Sequence, residues 1–229
     1  LSYDRYHANA PNICRIIQQQ PGNTFLGSDF FAVTAAPLGP AMVRDFPEVL
    51  SSVRIDDSSG VLISVGEANF IIHTLLWADP QIFDIFSFPL VRGDKTSVLN
   101  DPYSMLLSER EARRLFGGAD PVGRTIVYRA RHQASEFKVT GVFRDLPSNS
   151  HFAMDVCAPF ETMAKIQNRN LAQWDDNSYY TYVLLEDGTD PRALEAKLPA
   201  LIDQYGTDRS RGRRGQTTRF LLQPLTQIH

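Results

Sequence analysis

An α+β fold is predicted, in which a discontinuous domain of βαβ units, built from both chain ends, carries a smaller inserted α+β domain. Three observations predict it. Strand–helix–strand patterns lie near each terminus, a stretch with short alternating strands lies between them, and Gly and Pro, not any internal repeat or heptad, divide the chain. The 229 residues, 43% hydrophobic and 21% charged, suffice to bury one or two cores without a metal or many disulfides.

The elements follow from local signals. Residues 13–17 are the first apolar run and read as a strand ending at the Pro21-Gly22 turn. A helix is expected over about 35–46, with Thr34 as N-cap, Pro37 in its first turn and Pro47 blocking its continuation. A strand over 49–55 completes the first βαβ unit. Strands over 61–65 and 68–77 flank a Gly66-Glu67 turn, and Asp79-Pro80 opens a helical turn that carries Phe83 and Phe86 toward the core with Phe88. Ser108 and Glu111 form a capping box for a helix over 109–116 that ends at Gly117-Gly118. Residues 125–128 and 137–143 alternate as an antiparallel pair, and a strand is expected over 152–157. Residues 179–185 read as a strand, and Asp190-Pro191 starts a helix with Leu194, Leu198, Leu201, Ile202 and Tyr205 on one face and a kink at Pro199. A last strand over 219–223 closes a second βαβ-like unit.

Composition excludes several function classes. A formal net charge of -3 gives no general attraction to nucleic acid. No stretch reaches the roughly 18 apolar residues of a membrane span, and the most apolar one, 70–78, contains His73. The chain opens at Leu1 with no basic region followed by an apolar one, and is expected to be a segment of a longer chain. Cys14 and Cys157 lie too far apart for a zinc or CxxC site and read as small buried hydrophobes, a disulfide between them being left open. The histidines at 7, 73, 132, 151 and 229 show no HxxxH or HExxH spacing, so no metal site is expected and each reads as a surface or satisfied polar residue. There is no GxSxG elbow, phosphate-cradling GxxxxGK[ST] loop or dinucleotide GxGxxG, and Asp56-Asp57 and Asp175-Asp176 read as solvated pairs. No catalytic residue and no cofactor site is therefore named.

One electrostatic feature stands out. Arg209, Arg211, Arg213 and Arg214, interleaved with Gly212 and Gly215, form a candidate docking loop for phosphate, anionic lipid or an acidic partner, against the plainer reading of a solvated loop. No aromatic alternates with these arginines, which disfavours stacking on single-stranded nucleic acid. Tyr179, Tyr180 and Tyr182 put two rings on one strand face and one on the other, a weak pointer to an apolar ligand beside the more common role of core packing.

A family resemblance is carried by an ordered set of phrases: LSYDRYHANAPNICRII, TAAPLGPAMVRDFPEV, WADPQIFDIFSFPLVRGD, LLSEREARRLFGGADPVGRTI, FKVTGVFRDLPSNSHFAMD, DNSYYTYVLLEDGTDPRALEAKLPALI and FLLQPLTQIH. Together they cover nearly the whole chain, and it resembles the MacB-like periplasmic core domain of ABC transporter permeases in the FtsX-like group. The resemblance implies a porter-like subdomain over 1–96 and 171–229 and an inserted sabre-like subdomain over 97–170. It implies a periplasmic domain of an inner-membrane protein, with a membrane helix before Leu1 and three after His229. The implied function is mechanotransmission, coupling ATP-driven transmembrane motion to export or handling of substrate; such coupling needs a flexible joint, for which residues 94–102 and 167–176 are the candidate hinge crossings. No enzymatic activity is implied for the chain, because ATP hydrolysis would reside in a separate cytoplasmic domain or subunit. The implied partners are that ATPase, a second permease copy in a homodimer or heterodimer, and a periplasmic or outer-membrane protein at the arginine loop. The rival from another class is a secreted periplasmic binding protein or hydrolase on a βαβ scaffold.

Overall fold

In the computed structural model, which describes residues 3–21, 27–130, 133–206 and 218–228, the strands in chain order are β1 (Ile13–Gln19), β2 (Phe30–Phe31), β3 (Val33–Ala35), β4 (Val49–Val65), β5 (Ala68–Ala78), β6 (Leu90–Arg92), β7 (Ser104–Ser108), β8 (Thr125–Arg129), β9 (Ala134–Phe143), β10 (Val156–Pro159), β11 (Asn177–Leu185) and β12 (Arg219–Pro224). The helices are α1 (Leu38–Asp45), α2 (Ile82–Ile85), α3 (Glu109–Phe116), α4 (Phe160–Ile166), α5 (Pro191–Glu195) and α6 (Pro199–Tyr205). The chain divides into two compact units. An open-sheet unit takes the described residues of 8–54 and 170–229, and a barrel unit takes 3–7 and 55–169.

The open-sheet unit is ordered β12–β1–β11–β4, with residues 49–54 of β4 in this unit, and β2 and β3 adding to β1 and β11. β1 is antiparallel to both β11 and β12. Each expected βαβ unit is therefore split: β11 lies between β1 and β4, and β1 lies between β11 and β12. Periodicity names the elements but not their neighbours, which is why the interleaving was not legible. Alternation along β1 sends Cys14 and Ile16 inward, where they meet Leu38, Ala41 and Met42 of α1, Leu194 of α5, Leu198, and Leu201 of α6. Burying each of the larger of these side chains stabilises the unit by roughly 1.5–3 kcal/mol.

Two expectations in this unit are corrected. Thr34 does not cap α1; it sits in β3, its hydroxyl 2.7 Å from that of Thr181 and donating to Tyr179 O, and the helix begins only at Leu38. Its pairing partner was a strand far off in sequence, which outweighed the local capping signal. The helix expected after Asp190 is broken into α5 and α6 ahead of Pro199, since proline cannot donate to the preceding turn. Asp190 caps α5 by accepting from Arg192 N–H at 3.0 Å.

In the barrel unit the pairings close on themselves. β4 pairs β5 antiparallel, β5 pairs β10 parallel, β10 pairs β7 antiparallel, β7 pairs β9 parallel, β9 pairs β8 antiparallel, and β8 returns to β4, a ring of six strands. Closure leaves no free edge around this ring. Trp77 fills the interior, fully buried, its ring 5.5 Å from Tyr128 and 6.1 Å from Phe137 and its indole N–H donating to Ser58 Oγ at 3.1 Å. The Gly66-Glu67 turn joins β4 to β5 with Gly66 at φ 57°, a left-handed conformation that glycine adopts without steric cost. α3 packs on β7 and β9 and α4 on β10 and β5, so that β7 and β10 are buried along their whole length.

Here α3 matches its expected bounds, with Ser108 Oγ accepting from Glu111 N–H and Gly117 past its end at φ 62°. Phe83, Phe86 and Phe88 are buried as expected. Strands expected over 49–55 and 61–65 are one, β4, because the polar residues between them, including Ser58 and Ser59, stay paired to Leu75 and Thr74 of β5. The strand expected over 152–157 starts only at Val156, since Phe152 packs edge-on against Phe86 at 4.9 Å instead of extending a ladder. β7 and α4 were not anticipated, because short apolar runs carry no period of their own.

Candidate functional site

Arg209, Arg211, Arg213 and Arg214, the one loop singled out by charge, lie outside the described residues. The residues on either side of that stretch, Gly206 and Thr218, rim a cavity of the open-sheet unit with about 40 Å³ of room for water-sized guests. Its walls combine polar amides, rings and the aliphatic Leu201 and Ile202. Gln18, almost fully buried in β1, donates through Nε2 to Val33 O, and Gln20 Nε2 donates to Gln18 Oε1 at 2.9 Å, so the amides are held in place. Trp174 lines another side, stacked on Tyr205 at 5.0 Å and 5° between planes. Arg44 lies over the Tyr205 ring at 5.0 Å and bonds Asp45, whose carboxyl it holds below the usual carboxylate range. Asp175 also lines this cavity, while Asp176 accepts from the Ser178 hydroxyl. The cavity can take the tip of a polar group.

The barrel unit has a wider groove of about 260 Å³ between α3 and the β6–β9 edge, lined by Val91, Arg92, Ala112, Arg113, Ala119 and Val142. Arg92 is engaged with Asp120 at 2.8 Å. Glu109 and Arg113 add charge to these otherwise mostly apolar walls, which suits a surface contact.

Of the histidines, His73 is exposed on β5, and His132 and His229 lie outside the described residues. His7 and His151 come together around Asp4 in the barrel unit. His151 N–H donates to Asp4 Oδ1 at 3.0 Å and His151 Nδ1 lies 2.9 Å from Asp4 Oδ2. His7 Nδ1 accepts from Ser87 N–H at 3.0 Å, and burial pushes its imidazole down from 6.5 to about 4. Asp4 and His151 are 147 positions apart, so no motif spacing announced them. The only local trace was the run of phenylalanines, Phe86, Phe88 and Phe152, that surrounds them.

The remaining candidates are structural. Tyr179 and Tyr182 are each 2% exposed, the packing role weighed above the ligand role. Asp57 N–H donates to Asp56 Oδ1 at 3.0 Å, an exposed local contact. Cys14 and Cys157 are free and buried, and desolvation pushes both thiols up to about 12, which keeps them protonated and non-nucleophilic at neutral pH. Among the described residues no three His, Cys, Asp or Glu side chains gather as a metal site, and no helix is long and apolar enough to cross a membrane.

The profile of the MacB-like periplasmic core domain matches residues 1–201. The chain belongs to that family. Solved structures agree on the fold. A domain described as that of a permease from Porphyromonas gingivalis matches with a TM-score of 0.80 at 24% identity, over 96% of this chain and 92% of that one. The periplasmic region of MacB from Actinobacillus actinomycetemcomitans matches with 0.65 at 19% identity, over 96% and 91%. The extracellular domain of the noncanonic ABC-type transporter YknZ from Gram-positive bacteria matches with 0.62 at 14% identity, over 92% and 99%. No curated protein sequence matches the chain. This MacB-like domain is a periplasmic domain of the ABC transporter permease family, a family that implies an ATPase partner and dimerisation.

Proposed function

We propose that this MacB-like domain is a mechanotransmission module: ATP-driven motion of transmembrane helices displaces it and thereby drives export or handling of a substrate in the periplasm. Hydrolysis itself would occur in a separate cytoplasmic domain or subunit. The observation that carries the reading is that a permease-family domain is built here as two separately cored units joined by chain passages at 7/8, 54/55 and 169/170. Packed cores move as bodies, while passages between them can flex. The division supports the discontinuous layout expected for a porter-like subdomain with a sabre-like insertion, the insertion running over 55–169 on this division. Of the hinge candidates, 167–176 contains one passage. Residues 94–102 lie inside the barrel unit, where Asp94 fastens a turn by accepting from Thr96 N–H and its hydroxyl. Arg209, Arg211, Arg213 and Arg214 remain in this reading as the docking loop for an acidic partner.

Hydrogen exchange on the full-length transporter with its ATPase in lipid nanodiscs, with and without ATP, tests this. Exchange at 167–176 changes on ATP binding if the domain is driven. Identical exchange in both states makes it a passive tether. In the same preparation a photoreactive residue at Arg211 is expected to crosslink a protein, and capture of lipid alone removes the docking role.

A further inference from the structure

Residues 3–7 lead into β1 of the open-sheet unit, yet they belong to the barrel unit, which grips them at two points. The first is Asp4, fully buried at φ 58°. Its N–H donates to Asn149 O at 3.0 Å, and its carboxylate takes the His151 N–H and faces the His151 imidazole. The second is His7, 2% exposed, whose N–H donates to Asp4 O and whose Nδ1 accepts from Ser87 N–H. The His7 ring lies edge-on to Phe86 and Phe88 at 5.1 and 5.3 Å and beside Tyr6 at 4.1 Å.

This second grip requires an unprotonated Nδ1. An imidazolium would turn Nδ1 into a donor facing the Ser87 N–H donor, within a phenylalanine wall that cannot solvate the charge. The titratable groups facing His7 are Asp4 and Tyr6 on its own segment and His151 from beyond β9. Burial outweighs the pull of Asp4 toward the charged form, and His151 adds to the effect of burial.

We propose that residues 3–7 form a proton-released strap: the Asp4–His151 contact and the neutral His7–Ser87 hydrogen bond fasten it to the barrel unit, and protonation of His7 detaches its His7 end. The strap does not depend on the mechanical reading, but if that reading holds it sets how tightly the segment before β1 moves with the barrel unit. The sign follows from linkage. His7 accepts a proton at 6.5 when released and at about 4 when fastened. Fastening is at full strength well above pH 6.5, weakens as pH falls, and has lost roughly 160-fold by pH 4.

Amide hydrogen exchange of the intact 229-residue chain between pH 7 and 3.5, corrected for intrinsic rates, tests it. Protection at Ser87 is expected to fall by about two orders of magnitude between pH 6.5 and 4 relative to Val139, whose N–H donates to Arg124 O in the barrel. His7→Asn, which offers a non-titrating oxygen to Ser87, is expected to hold Ser87 protection level over that range. Wild-type protection that stays level to pH 4, or a fall that persists in His7→Asn, overturns the proposal. If His7→Asn does not fold, NMR of wild-type His7 decides. An imidazole midpoint near 4 shared by the Ser87 amide supports the strap, and a midpoint near 6.5 with Ser87 unmoved overturns it.

Discussion

At Ser108 one hydroxyl decides where α3 begins. Its Oγ accepts from Glu111 N–H at 3.2 Å, while Ser108 N–H donates to Asp155 O at 2.8 Å. The capping box legible in the sequence is therefore only half used: the Glu111 carboxylate turns to Arg114 at 2.5 Å instead of reaching back. Asp155 is a second node, accepting from Thr74 N–H and from Arg110, so the start of α3 is tied to β5. Ser108→Ala is expected to cost about 1 kcal/mol, seen as a lower urea midpoint at unchanged slope, with Ser108→Thr restoring most of it. An unchanged midpoint for Ser108→Ala would show that the helix start is held by the Asp155 node alone. Residue-scale reading found this cap because serine, glutamate and helix are three positions apart. It missed Asp4 and His151 because burial and partnership across the chain leave no local signature.

At the scale of elements the barrel depends on two glycines facing each other. β7 and β9 slip register where Met105 meets Val139 but Leu106 meets Gly141, leaving Thr140 as a bulge whose hydroxyl donates to Val98 O at 2.7 Å. A Cβ on Gly141 would sit 2.8 Å from Arg92 O, and one on Gly93 would sit 2.7 Å from Thr140 O at φ 96°. Both obstacles are backbone, so a side chain there must push β6 off β9. Gly141→Ala is expected to destabilise the protein by about 1–3 kcal/mol. Gly118→Ala, which meets nothing within 4 Å, is expected to stay within about 0.5 kcal/mol. Equal thermal midpoints for the two variants would contradict this. Elements with a strong period and paired punctuation, α3 and the β8–β9 pair, were legible in the sequence. β7 was not, being covered on both faces and so without alternation, and neither was the interleaving of the split βαβ strands, which is set by long-range pairing.

For the whole molecule, the resemblance of ordered motifs reached the family before the coordinates did, and the coordinates supply what motifs omit: a closed six-stranded ring and a split βαβ sheet, each with its own core. The account stands on motion of a permease-family domain. Its most direct test is the distance between spin labels on the two permease copies of the full transporter. The label replaces Lys138, exposed on β9 (Lys138→Cys), while buried Cys14 and Cys157 stay unreactive. The label-to-label distance is predicted to shift when ATP binds and to return after hydrolysis; one distance distribution in every nucleotide state would contradict the account.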